Sequence, residues 1–211
     1  MGRLGELTSL NLGNNALSGS IPEQLGNLAL LQYLELPDNG LTGPIPTELG
    51  NLTNLVTLML RRNSLTGPIP KELGRVTSLN FLLLDNNELS GSIPVELADL
   101  NVLETLFLNV NNLTGPIPPE LGNLSKLKSL ILYSNHLTGQ IPHQLGDLMT
   151  LATLDLKDNM LEGRIPSSIG ESFSLVRVEL SGNLLTGCIP PGLRDKSNDF
   201  DRMDLPYCGA G

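Results

Sequence analysis

Two histidines, two cysteines and a short run of aspartates are among the residues with side chains suited to metal, redox or acid–base chemistry. His136 and His143 stand seven apart, and no cysteine or carboxylate gathers near them at metal-ligand spacing. The acidic segment Asp195, Asp199, Asp201 and Asp204 lacks the glycine turn and closing glutamate of a calcium loop, and reads as a solvated cap. No G-x-S-x-G elbow, phosphate loop or dinucleotide fingerprint occurs. The expectation is therefore a protein that is not an enzyme, with no catalytic residue, no metal and no cofactor. Cys188 and Cys208, the only cysteines, read as a terminal clasp closing a loop of about 20 residues, which would add on the order of 3 kcal/mol. A disulfide implies an oxidising compartment; the alternative is two reduced cysteines in cytosol.

The formal charge of −9 comes without a basic stripe, so no nucleic-acid partner is expected. No apolar run is long enough for a membrane span. Met1-Gly2-Arg3-Leu4-Gly5-Glu6 is not followed by the apolar core of a signal peptide, and Glu6 breaks the N-myristoylation pattern.

The residues that could position any function recur with a fixed period. Asn15, Asn39, Asn63, Asn87, Asn111, Asn135, Asn159 and Asn183 are each 24 residues apart, and glycine, isoleucine and proline from Gly19, Ile21 and Pro22 repeat at the same interval. Within each unit L-x-x-L-x-L alternates apolar and polar residues, as a strand with one buried face does, before Gly and Pro break it. One such coil cannot bury its leucines alone, so the copies must stack. Eight strands at about 4.8 Å make a parallel sheet of roughly 35–40 Å. The asparagines are suited to bond backbone groups of their own and neighbouring coils, and Gly43 and its equivalents to supply a backbone shape that a Cβ would obstruct.

The segments "LTGPIPTELGNL" (41–52) and "LTGPIPPELGNL" (113–124) resemble the plant-type leucine-rich repeat with its L-T-G-x-I-P signature. The resemblance covers about residues 4–195 and extends to plant receptor-kinase ectodomains and polygalacturonase-inhibiting proteins. It implies an α/β-type repeat fold: a right-handed solenoid of eight coils over residues 1–195, with a parallel concave β-sheet, short 3-10 or turn segments on the convex side, and a capping tail at 196–211. Phe200, Met203, Leu205 and Tyr207 would cover the last coil. The cysteine-paired N-terminal cap of those ectodomains does not precede Leu4, and no transmembrane or kinase segment follows. The chain therefore reads either as a fragment or as one whose first coil is covered by another chain or by self-association. The resemblance and the paired cysteines together imply an extracellular or cell-surface location.

Only positions that vary between coils can specify a partner. Opposite the leucines, three columns face the concave side. The first is Ser9, Tyr33, Thr57, Phe81, Thr105, Ser129, Thr153, Arg177; the second is Asn11, Glu35, Met59, Leu83, Phe107, Ile131, Asp155, Glu179; the third is Gly13, Pro37, Arg61, Asp85, Asn109, Tyr133, Lys157, Ser181. These columns would hold fewer than one of the chain's seven aromatics by chance, yet Tyr33, Phe81, Phe107 and Tyr133 lie in them. Met59, Leu83, Phe107 and Ile131 form a consecutive apolar run closed by acidic residues at both ends, the composition of a binding centre for a protein or peptide. The site expected on this basis is Tyr33, Glu35, Met59, Arg61, Phe81, Leu83, Asp85, Phe107, Asn109, Ile131, Tyr133, Asp155 and Lys157. The bland alternative is that a parallel strand tolerates apolar residues on both faces.

Asn51, Asn112 and Asn123 begin glycosylation sequons, although the repeat itself generates N-L-T and N-L-S. Three further functions stay open: inhibition of a secreted polysaccharide-degrading enzyme, ice binding, and a structural array without a partner. Ice binding would use the hydroxyl column Ser18, Thr42, Thr66, Ser90, Thr114, Thr138 and Thr186, which Glu162 interrupts.

Overall fold

A computed structural model of the protein describes residues 4–209; the start of the chain at Met1–Arg3, and with it part of the reading of the N-terminal segment, lies outside the described residues. Each coil opens with a three-residue strand whose middle leucine or valine turns inward. These strands run from Ser9–Asn11 through Tyr33–Glu35, Thr57–Met59, Phe81–Leu83, Thr105–Phe107, Ser129–Ile131 and Thr153–Asp155 to Arg177–Glu179. They pair in parallel with each residue opposite its equivalent 24 positions on, as Met59 faces Leu83 and Leu83 faces Phe107. The tail adds Ser197–Asn198 as a ninth strand to this sheet.

A second parallel sheet of eight strands forms where the sequence shows only turn residues, from Ser18–Ser20 and Gly40–Gly43 to Leu184–Thr186. Its partners are 22 positions apart, Thr114 standing opposite His136, so it is staggered by two residues per coil relative to the first. Gly43 and its counterparts sit at a φ near +75°, a conformation that costs a side chain but not glycine, and this lets the L-T-G segment run beside its equivalent. Short 3-10 segments such as Thr47–Asn51 and Pro119–Asn123 close the coils, with one α-helical turn at Ser167–Glu171.

The leucines and the repeated isoleucines of successive coils join in one continuous interior. Burying each such side chain is worth about 1.5–3 kcal/mol. The asparagines do what their spacing suggests. Asn111 accepts from the Leu89 N–H at 3.0 Å and donates to the carbonyls of Leu84 (3.1 Å) and Leu108 (3.0 Å), so one buried amide ties two coils together. The residue just before each asparagine is left-handed, whatever its type: Arg62, Asn86 and even the β-branched Val110 all have φ near +55°.

At the far end Phe200 is buried, while Met203, Leu205 and Tyr207 pack against the interior. Asp199 accepts from the N–H groups of Leu180 (2.9 Å) and Ser181 (3.0 Å), and its bond to Leu180 stands in for the one that the equivalent Leu156 N–H makes to the next coil's Glu179 carbonyl. Asp199 is thus half-buried and bonded rather than solvated, whereas Asp195, Asp201 and Asp204 are exposed. Cys188 and Cys208 are joined in a disulfide. In the first coil Leu12 is exposed and Leu10 and Leu17 are only half-buried.

Candidate functional site

The concave sheet's register places the middle column in a straight line across the coils, because Met59, Leu83, Phe107 and Ile131 are successive partners. At about 4.8 Å per strand the run spans roughly 14 Å. Met59, Phe107 and Ile131 are half-buried, flanked by the exposed rings of Tyr33 and Phe81. Leu83 is 8% exposed, yet it stands outside the continuous interior. Its partners in the adjacent strands are Met59 and Phe107.

Polar groups close both ends of the stripe. Asn11 donates to Glu35 on the first side. On the other, Asp155 lies 3.9 Å from Lys157, whose ammonium also sits 4.8 Å from the centre of the Tyr133 ring. Arg177 pairs with Glu179 at 2.9 Å. Burial pushes the Asp155 carboxyl above its ordinary range, opposed by the Lys157 backbone N–H and charge.

The third column departs from the open face that alternation predicts. Asp85, Asn109 and Ser181 are buried, as are Asp155 in the second column and Thr57 in the first. Arg61 and Tyr133 remain half-buried. Asn51, Asn112 and Asn123 are exposed, Asn51 and Asn123 at the ends of 3-10 segments and Asn112 at the start of a second-sheet strand. His136 and His143 are exposed and apart from the concave face, at the starts of a second-sheet strand and a 3-10 segment. Among the described residues no group of three or more His, Cys, Asp or Glu comes together to hold a metal.

A second apolar feature escaped the sequence reading. Met149 and Phe173 are fully exposed at the same position of adjacent coils, beside Val176. The signal was present, since the other coils carry Gly5, Ala29, Thr53, Thr77, Asn101 and Ser125 there. A groove of about 1000 Å³ runs instead along the turn side, lined by Ile45, Ile69, Ile93 and the prolines beside them. These are repeat positions, and a smaller groove of the same make lies one coil earlier, so it is a product of the repeat.

The Leucine Rich Repeat model matches eight successive segments, 6–28, 30–52, 54–76, 78–100, 102–124, 126–148, 150–172 and 174–195. The chain belongs to the leucine-rich-repeat family. No curated protein sequence matches it. Among solved structures, the repeat solenoid is similar to the plant peptide hormone receptor RGFR1 in complex with RGF2, at 38% identity and a TM-score of 0.89, over 92% of this chain and 32% of that one. It is similar to the Arabidopsis receptor kinase HAESA in complex with the peptide hormone IDA and the co-receptor SERK1, at 42% identity and a TM-score of 0.87, over 92% of this chain and 33% of that one. A plant ice-binding protein matches at 29% identity and a TM-score of 0.76, over 98% of this chain and 69% of that one. The chain spans about a third of the length of the two receptor structures.

Proposed function

We propose that this leucine-rich-repeat chain is a non-catalytic binding module that docks an extended peptide or protein segment on its concave face, in an extracellular setting. The observation that carries the reading is the straight apolar run Met59, Leu83, Phe107 and Ile131, exposed in part, outside the interior, and closed at one end by the Asn11–Glu35 hydrogen bond and at the other by paired charges. An apolar centre with a polar rim is the anatomy of a recognition surface, and the flanking aromatics are its natural anchors. Two of the similar receptor structures are complexes with peptide hormones, which supports a peptide as the ligand class. The disulfide supports an oxidising compartment.

The exposed hydroxyls of the second sheet favour ice binding as a second reading. The stagger of that sheet weakens it, because Thr42 stands opposite Ser64 and not Thr66, so the hydroxyl column runs obliquely. Exposed Glu162 also interrupts it. Selection from a displayed library of short linear peptides tests the leading reading. Wild type should enrich a defined motif, and Phe107→Asp should lose it by tenfold or more, about 1.4 kcal/mol. Enrichment that survives Phe107→Asp places the site elsewhere. Thermal hysteresis would favour the ice-binding reading, and inhibition of a polygalacturonase the inhibitor one.

A further inference from the structure

Among the described residues two buried side-chain polar atoms lack a hydrogen-bond partner, Nε of Arg61 and Oδ1 of Asp85. They belong to equivalent positions of adjacent coils, joined at the backbone where the Arg62 N–H donates to the Asp85 carbonyl at 3.0 Å. Other charged groups of this face are engaged: Glu35 with Asn11, Asp38 with Arg62, Asp155 with Lys157 and Glu179 with Arg177. Arg61 and Asp85 do not form an ion pair with each other. The second Asp85 oxygen accepts from the Asn86 amide at 2.8 Å, which fixes the carboxylate while leaving Oδ1 without a partner. Asp85 is more than nine-tenths buried. A buried donor and a buried acceptor without partners both weigh against the fold, and they stand two residues beyond Met59 and Leu83, beside the stripe.

We propose that Arg61 and Asp85 form the polar clamp of the concave site, and that it takes a neutral group that both accepts and donates hydrogen bonds, a primary carboxamide or hydroxyl of the docked peptide. This rests on the peptide-docking reading above. Arg61 only donates and ionised Asp85 only accepts. An ammonium would satisfy Asp85 but set its charge against Arg61, and a carboxylate would do the reverse. A carboxamide or hydroxyl serves both without net charge. Neither atom is open to solvent, so the clamp requires the half-buried Arg61 side chain to move as the neighbouring apolar side chain of the ligand settles on Leu83 and Phe107.

An array of short immobilised peptides tests the clamp, each carrying one Phe with Asn, Gln, Ser, Lys, Glu or Leu at neighbouring positions. Wild type should hold the amide- and hydroxyl-bearing peptides about tenfold more strongly than the others. Asp85→Asn should shift the preference toward Glu, with Arg61 unopposed, and Arg61→Met should shift it toward Lys. Thermal unfolding shows whether each variant folds, and either one that does carries the test. A wild-type preference for Lys, Glu or Leu, or a preference that neither variant changes, overturns the clamp and leaves peptide docking standing. Failure of every peptide to bind wild type overturns the docking reading and the clamp with it.

Discussion

Leu82, Leu83 and Leu84 are consecutive, yet they belong to two regions. Leu82 and Leu84 are 0% exposed within the continuous interior, whereas Leu83 keeps 8% exposure and lies outside it, between Met59 and Phe107 on the concave face. Interior burial follows from alternation along one strand and repeats in coil after coil. Concave burial follows from which side chains happen to stand 24 residues away. The first region therefore carries stability and is nearly uniform, while the second differs from coil to coil and carries what is specific to this chain.

The largest test of the division falls on the uniform side. Asn111→Ala removes an amide that bonds two coils and leaves the buried Leu89 N–H and Leu84 carbonyl without it. It should cost about 2–4 kcal/mol in denaturant unfolding; a loss under about 1 kcal/mol would mean the ladder is incidental. Asp155 sharpens the comparison because it sits on the variable face but is buried like the interior. Its carboxyl titrates above its ordinary value in the fold, so the charge weighs against the native state. The stability that protonation confers is complete below the unfolded value near 3.8 and is lost as pH rises through the raised folded one. Asp155→Asn should match wild type near the acid end and exceed it at neutral pH, read from unfolding midpoints across pH. The smallest effect belongs to the turn between the regions. Val110 is held left-handed at a φ of 55° although it is β-branched. Val110→Asn should stabilise by about 0.5–1 kcal/mol without touching binding; no gain would mean Val110 packing outweighs its backbone strain.

Much of the uniform region was legible in the sequence. The 24-residue period, the inward leucines, the bridging asparagines and the left-handed glycines each follow from a residue type at a fixed place. The second sheet was not legible, because segments such as Gly40–Gly43 have poor strand propensity and pair only once the coils are stacked. Nor was the left-handed position before each asparagine, since arginine, valine and serine occupy it as well as asparagine and aspartate. On the variable face the stripe itself was readable from alternation. The burial of Thr57, Asp85 and Asn109 was not, because alternation along one strand does not tell which side chains of neighbouring coils stand beside them.

Thermal unfolding of Leu106→Ala beside Phe107→Ala tests the division most directly, since the two residues are adjacent in one strand and take opposite faces. Leu106→Ala should lose about 3–4 kcal/mol and on the order of 10 °C in Tm, while Phe107→Ala should stay within about 3 °C of wild type. A fall for Phe107→Ala as deep as that for Leu106→Ala would show that the ring supports the fold and would contradict the concave stripe as a surface kept for a partner.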